Sequence, residues 1–174
     1  MIRVDKKADV TTLTGRLLRK LFERNEDETI IAMGLKNVVN AVNVVTFAAY
    51  LVHDNFSIYT GKIDLDADGK GVRMIIPCSH SQKEGYRVVR DVNEHPWNAF
   101  RVSRRRRNDL KPLVYSRIPV KQKVSFSAMG SLIPYIISQT LRWKREYPEL
   151  VAEVELGYGI KKGKVYSAMK ITLY

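Results

Sequence analysis

The sequence predicts an α+β protein made of two tandem units, each with the element order βαβαββ. The first observation is a repeated Ala-Met-Gly, at residues 32–34 and 128–130. The second is that the flanks agree in order, with a strand, a helix and a strand before each copy and a long helix and a hairpin after it. The third is spacing, because Val4 precedes Gly34 by 30 positions and Val102 precedes Gly130 by 28.

The first unit is expected to span residues 1–77. Apolar residues at three- and four-residue intervals predict an amphipathic helix over residues 10–22. Residues 38–53 would be apolar on nearly every face of a helix, which predicts a centrally buried helix. The segment is too long for a strand in so small a unit. The remaining elements are a first strand at 2–4, a second strand ending at Ile31, the central helix at 38–53, and strands at 56–65 and 72–76 that form a hairpin with an Asp-Gly turn.

Residues 78–96 are polar, contain Gly85, follow Pro77 and end at Pro96, and are expected to form a partly ordered linker. The second unit then spans residues 97–174. Asn108 or Asp109 is expected to cap its first helix, which must end before Pro119. Ser131 is the expected N-cap of its second helix, Pro148 ends that helix, and strands at 151–160 and 164–173 form the closing hairpin.

Composition narrows the class of protein. The chain has no run of 18 or more apolar residues and no signal segment at its start, so a soluble intracellular protein without a membrane partner is expected. The single Cys78 cannot form an internal disulfide, and with His53, His80 and His95 it does not make a ligand cluster at metal spacing. We therefore expect no metal and no other cofactor.

The net charge of +12 is unevenly distributed along the chain. Residues 1–78 hold 11 Lys and Arg against 10 Asp and Glu, whereas residues 79–174 hold 19 against 8. The second half includes the run Arg104, Arg105, Arg106 and Arg107, which would repel itself unless an anion neutralised it. Phosphate contact is the leading interpretation. A nuclear-import signal and a simple solvated surface are the alternatives.

Several short motifs recur in the two units. The first unit has a glycine-bearing first helix, an Ala-x-Gly joint before the second helix, and a polar-Ala-Val step inside that helix, at residues 13–18, 23–24, 31–34 and 40–42. The second unit has only the first-strand motif at 101–103, the joint at 128–130 and the same element order, and no Ala-Val step follows. Together these motifs resemble those of the Alba superfamily, in particular its stage V sporulation protein S branch.

The resemblance implies a nucleic-acid-binding domain that pairs as a dimer, so the two units are expected to form an intramolecular pseudo-dimer, or the chain to form a homodimer. It also implies contacts from the loop after the first strand, from the joint before the second helix, and from the last hairpin. The candidates in the first unit are Lys6, Lys7, Lys36, Asn37, Lys70 and Arg73. Those in the second are Arg104, Arg105, Arg106, Arg107, Lys161, Lys162 and Lys164.

The leading functional hypothesis is therefore binding of DNA or RNA, in the nucleus or the cytoplasm, with low sequence specificity. Trp97 and Phe100 could stack on bases, although a place in the core is the more common one for such residues. The alternative is a protein-assembly module whose basic surface binds an acidic partner. An enzyme is not expected, because no catalytic triad and no phosphate-binding glycine loop is legible.

Overall fold

A computed structural model describes residues 1–67, 71–78 and 84–174 of the chain. These residues form four α-helices and mixed β-sheets, which confirms the α+β class. The elements in chain order are β1 (Ile2–Val4), α1 (Val10–Leu18), β2 (Glu28–Met33), α2 (Leu35–Val52), β3 (Tyr59–Thr60), β4 (Ile63–Ala67), β5 (Gly71–Ile76), β6 (Arg87–Val88), β7 (Arg90–Asp91), β8 (Phe100–Arg101), α3 (Leu110–Arg117), β9 (Val124–Met129), α4 (Ile133–Glu146), β10 (Ala152–Lys161) and β11 (Lys164–Leu173).

The first helix forms as its sequence predicts. The carboxylate of Asp9 caps α1 by accepting a hydrogen bond from the backbone N–H of Thr11 at 3.3 Å. Leu13 and Leu17 are buried on one face, and the helix continues through Arg19–Glu23 as a π-turn. The amphipathic helix predicted for residues 10–22 is thus confirmed as an α-helix with a π-helical end.

The two larger sheets share one strand order. The first sheet runs β1-β2-β5-β4, and the second runs β7-β10-β11-β9-β8. When β8, β9, β10 and β11 are taken as counterparts of β1, β2, β4 and β5, the orders are identical apart from the added β7. The first two strands of each set are parallel, and the hairpin strands are antiparallel.

One predicted strand is divided. The single strand expected at 56–65 is wrong, because β3 pairs with β6 in a separate two-stranded sheet while β4 pairs with β5. The break falls at Gly61, whose backbone N–H donates to the carbonyl of Ile75 at 2.8 Å. A Cβ at this glycine would lie 3.3 Å from Tyr86, so a close-packed ring occupies the break.

The segment expected to be a linker contains secondary structure. Its β6 pairs with β3 of the first half, and its β7 pairs in parallel with β10 of the second half. The backbone N–H of Val92 also donates to the carbonyl of Tyr158 at 3.0 Å. Residues 84–96 therefore pack against both halves.

The helices of the second half begin differently from expectation. Ser131 is not the N-cap of α4, because residues Gly130–Leu132 form a 3-10 turn and the helix begins one residue after Leu132. Asp109 does stand at the N-cap of α3, but its side chain makes no capping hydrogen bond. Pro112 is tolerated as the third residue of α3, and α4 ends at Glu146, two residues before Pro148.

Helix α2 packs against both larger sheets. It contacts β1, β2 and β5 of the first sheet and β10 and β11 of the second. Ser167 on β11 donates a hydrogen bond to Asn43 of α2 at 2.6 Å, and its hydroxyl lies 2.5 Å from that of Thr46. The rings of Tyr50 and Tyr158 meet edge to face at 5.7 Å between centroids. The two halves are joined by buried polar and aromatic contacts.

By length and composition alone, α2 could also cross a membrane, which the sequence did not lead us to expect. A core helix passes the same test, and 44% of this helix is buried inside the fold. Its hydrogen bonds to β11 account for the polar residues on the buried face.

Candidate nucleic-acid interface

The two Ala-Met-Gly copies form corresponding turns between a strand and a helix. Gly34 has φ +83° and Gly130 has φ +55°, and both follow the last residue of a strand in the interior of a sheet. Such backbone angles are readily adopted by glycine and are strained for most other residues. The repeated glycines therefore serve the same geometric purpose in both halves.

The hairpin between β10 and β11 projects beyond the rest of its sheet. The ladder between β9 and β11 ends where Met129 pairs with Ala168, but β10 and β11 continue to the pair Lys161 and Lys164. At about 3.3 Å per residue, the four extra residues of β11 extend roughly 13 Å. We call residues 158–167 the hairpin arm.

The tip of the hairpin arm is a two-residue turn. Lys162 and Gly163 both have positive φ, at +52° and +76°. Two central residues of this kind make a type I′ turn, which matches the twist of a two-stranded ribbon. The turn holds Lys161, Lys162 and Lys164 at an exposed end of the molecule.

The four consecutive arginines do not share one environment. The guanidinium of Arg106 lies 4.3 Å from the centroid of Phe100, and that of Arg107 lies 4.3 Å from the centroid of Tyr135. Tyr135 also donates a hydrogen bond to the backbone carbonyl of Arg107 at 3.3 Å. The rings hold these two cations by cation–π attraction, while Arg104 lines a cleft and Arg105 is exposed.

The loop after β8, the turn after β9 and the hairpin arm enclose one cleft of about 450 Å³. Four of its lining residues carry positive charge, and none of its described lining residues is acidic. We call it the cationic cleft. Its lining residues are Arg101, Val102, Ser103, Arg104, Met129, Gly130, Ser131, Leu132, Lys161, Lys162 and Tyr166.

The structure thus brings together the two second-half segments that carry candidates, the loop after β8 and the tip of the hairpin arm. Arg104, Lys161 and Lys162 line the cationic cleft, whereas Lys164 closes the turn on the hairpin without lining it. Arg105, Arg106 and Arg107 lie beside the cleft rather than in its wall.

Four candidates of the first half lie where β1 and β2 end, at the same side of their sheet. Lys6 and Lys7 follow β1, and Lys36 and Asn37 are in the first turn of α2. The amide of Asn37 donates to the carbonyl of Met33 at 2.9 Å, so part of its bonding capacity stabilises the turn. Lys70 is outside the described residues.

Arg73 was expected at a hairpin tip, and that placement is wrong. It lies inside β5, where it is opposite Ile31 on one side and Asp64 on the other. Its side chain is exposed on the outer face of the sheet, two residues beyond the start of the strand.

Among the lining residues of the cationic cleft that were not candidates, one is charged and one is aromatic. Arg101 is on β8 and its guanidinium lies 3.7 Å from the sulfur of Met129. Tyr166 packs near Gly130, where an added Cβ would lie 3.4 Å from its ring. Both lie on the outer face of the second sheet, on strands separated by β9. Strict alternation from Phe100 and Val165 could have placed them on that face, but not in a cleft.

A second cleft, of about 440 Å³ between the halves, has a lining of mixed charge. It is lined by Asp91, Glu94 and Arg90 together with two histidines and Tyr158. Burial, followed by the charges of Asp91, Glu94 and Asp54, raises the pKa of Tyr158 to about 12. Acidic side chains at this position disfavour a polyanion.

No group of three or more potential metal-binding side chains is found within residues 1–67, 71–78 and 84–174. His80, one of the residues considered for a metal site, is outside the described residues.

Comparison of the chain with protein-family models, with curated proteins and with solved structures found no match.

Proposed function

We propose that this protein binds DNA or RNA through the phosphate backbone, with low sequence specificity and without catalysis. The observation that carries the proposal is the cationic cleft, which gathers four cations from two separate segments of the chain. A surface of this kind neutralises phosphates and releases their condensed counterions. Since that contribution is independent of sequence, the affinity should depend strongly on salt and weakly on base composition.

The side chains of the cationic cleft suit a phosphate better than an uncharged apolar ligand. Arg101 and Arg104 present guanidinium forks that can bind phosphate oxygens in pairs. Lys161 and Lys162 add point charges on the hairpin arm, whose exposed tip lets them follow a backbone. The turn at Gly130 leads into the N-terminal end of α4, whose dipole also favours an anion.

The proposal includes the resemblance to the Alba superfamily, with the two halves as Alba-like units packed as a pseudo-dimer. Three observations support it: the shared strand order, the positive φ at both repeated glycines, and the packing of α2 against the second sheet. Residues 1–77 and 97–174 are the proposed units. An intracellular location, in the nucleus or the cytoplasm, goes with this role.

Fluorescence anisotropy of labelled duplex DNA and RNA at several salt concentrations tests the proposal. We expect the logarithm of affinity to fall linearly with the logarithm of salt concentration. The variant carrying Arg101→Gln and Arg104→Gln should bind more weakly, and the magnitude of the salt slope should fall by about one for each lost contact.

The matched control carries Arg142→Gln and Arg145→Gln. These arginines are exposed near the end of α4 farthest from the cleft, so the net charge changes equally at a distant position. Equal loss of affinity in both variants would contradict a defined cleft. Absence of salt-dependent binding to either polymer would contradict nucleic-acid binding altogether and favour an acidic protein partner.

A further inference from the structure

A second hollow adjoins the cationic cleft on the outer face of the second sheet. It has a volume of about 410 Å³ and is enclosed by the loop that precedes β8. We call it the outer-face pocket. Its lining residues are Val92, Asn93, Pro96, Trp97, Ala99, Arg101, Ser127, Ala128, Met129, Ile160, Lys161 and Ala168.

Small residues on β10 let the loop approach the sheet. A Cβ at Gly157 would lie 2.7 Å from the carbonyl oxygen of Arg90 and 3.0 Å from the ring of Trp97. A Cβ at Gly159 would lie 2.6 Å from the terminal methyl of Met129. The backbone contact at Gly157 leaves no room for a side chain, and both glycines allow the indole and the thioether to lie directly on the sheet.

The loop is also held at the other side of the pocket. The amide oxygen of Asn93 accepts a hydrogen bond from the backbone N–H of Ile160 at 2.6 Å. The backbone N–H of Asn93 in turn donates to the carboxylate of Asp91 at 3.0 Å. The walls of the outer-face pocket are therefore fixed before any ligand binds.

The outer-face pocket and the cationic cleft share a wall. Arg101, Met129 and Lys161 line both. A ligand that places an anionic group between Arg101 and Lys161 thus has an aromatic, mostly apolar hollow within reach on the adjoining side. A nucleotide has this construction, with a phosphate beside a flat base.

Trp97 makes the pocket suitable for a base. Its indole presents a large aromatic surface, and its Nε1 is covered from solvent and has no hydrogen-bond partner among the described residues. A buried donor without a partner is uncommon in folded proteins. Since this N–H is covered, Trp97 can offer a base only its ring.

We infer that the ligand of the cationic cleft is a single-stranded nucleic acid, and that one of its bases enters the outer-face pocket against Trp97. The inference rests on the proposed function and adds the form of the ligand. In a duplex the bases are stacked and paired, so their flat faces are covered and cannot stack on a protein side chain. In a single strand the unpaired base is available to stack on an aromatic side chain.

The test compares three DNA probes of equal length: oligothymidylate, an abasic strand with the same number of phosphates, and a duplex. Oligothymidylate should bind about tenfold more tightly than the abasic strand, because stacking adds to the shared phosphate contacts. It should also quench the emission of Trp97 at saturation, and the quenching should be absent in Trp97→Phe, where the buried Trp143 still emits.

Ser127→Ile tests the pocket itself. Ser127 lies on the outer face of β9 and lines the outer-face pocket but not the cationic cleft, so a larger side chain there reduces the space for a base. Its oligothymidylate affinity should fall to that of the abasic strand. Ser125→Ile is the matched control, with the same substitution on the same face of β9 outside both hollows.

Two results would overturn the inference: equal binding of the oligothymidylate and abasic strands, or unchanged Trp97 emission at saturation. In both cases salt-dependent binding of all three probes would leave the proposed function standing. If none of the probes bound at low salt, the proposed function would fail as well.

Discussion

At the scale of single residues, two glycines that both have open space for a Cβ differ in whether their backbone conformation requires glycine. Gly34 combines φ +83° with ψ 146°, a region that side-chain-bearing residues rarely enter. Gly15 lies inside α1 with nothing within 4 Å of an added Cβ. One position requires glycine for its backbone, and the other has no such requirement.

Gly34→Ala and Gly15→Ala should therefore change stability in opposite directions. Gly34→Ala should lower the free energy of unfolding by about 1–3 kcal/mol, because alanine is strained at this positive φ. The added methyl group itself meets no other atom. Gly15→Ala should raise it by about 0.4–1 kcal/mol, since alanine restricts the unfolded chain and favours the helix. Urea unfolding followed by circular dichroism measures both, and a shift of the same sign in the two variants would contradict the assignment.

The sequence predicted some of these single-residue features and not others. The repeated Ala-Met-Gly predicted corresponding turns, because a positive φ leaves a recognisable residue type. Ser131 was wrongly chosen as an N-cap, because a 3-10 turn and an α-helix can start from the same residues. Arg106 and Arg107 contact the rings of Phe100 and Tyr135, whereas Arg104 lines the cationic cleft. Nothing in the local sequence distinguishes these three arginines.

At the scale of secondary-structure elements, the hairpin arm combines a strained turn with charge. Lys162 adopts φ +52° although its side chain does not favour that region. Lys121, after α3, has nearly the same conformation at φ +54° but precedes β9, at the end of that strand away from the cationic cleft. The two lysines share a conformation and differ in position.

Lys162→Asn should separate stability from binding. Asparagine tolerates a left-handed conformation better, so the free energy of unfolding should rise by roughly 0.5 kcal/mol. Nucleic-acid affinity should fall at the same time, because one charge leaves the cationic cleft. Lys121→Asn should give the same gain in stability with unchanged affinity, as measured by urea unfolding and anisotropy titration. Reduced affinity in Lys121→Asn alone would place the ligand elsewhere.

Elements whose hydrophobic pattern is local were predicted well, including the amphipathic helix α1 and the closing hairpin of β10 and β11. Elements that depend on distant partners were not. β3 and β6 each have only two residues, and their pairing joins residues 59–60 to 87–88. Since short strands show no alternation, their sheet is defined only by contacts made in the folded chain.

At the scale of the whole molecule, α2 makes the two halves mutually dependent. It covers the first sheet while Asn43, Thr46 and Tyr50 contact residues of the second. Ser167 is 3% exposed, so the hydrogen bonds that cross between the halves are shielded from water. Separation of the halves would expose the apolar surface of α2 and leave these polar groups without their partners.

Ser167→Ala should destabilise the entire chain. It removes the partner of Asn43 and Thr46 in a buried site, which should cost about 1–3 kcal/mol. Ser125→Ala is the control, because its hydroxyl bonds to Thr172 within the second sheet in a partly buried site, and its cost should be smaller. Circular dichroism and tryptophan fluorescence should give coincident transitions in all three proteins. Two resolved transitions would contradict the coupling.

The sequence indicated the overall order of elements but not how the halves meet. The apolar character of α2 predicted a central helix, yet it could not show that a second sheet supplies part of its covering. The charge asymmetry predicted which half would be cationic, whereas the cleft depends on the hairpin arm folding beside β8 and β9. Those relations join residues far apart in the chain, where pattern carries little information.

The position of α2 has a consequence for how the sequence can vary. A substitution on its buried face alters the fit to two sheets at once, so a change that suits one sheet must also be tolerated by the other. Helices α1 and α3, which serve only their own halves in the principal contacts, are free of that double requirement. We therefore expect the tolerated variants of α2 to be fewer than those of α1 or α3.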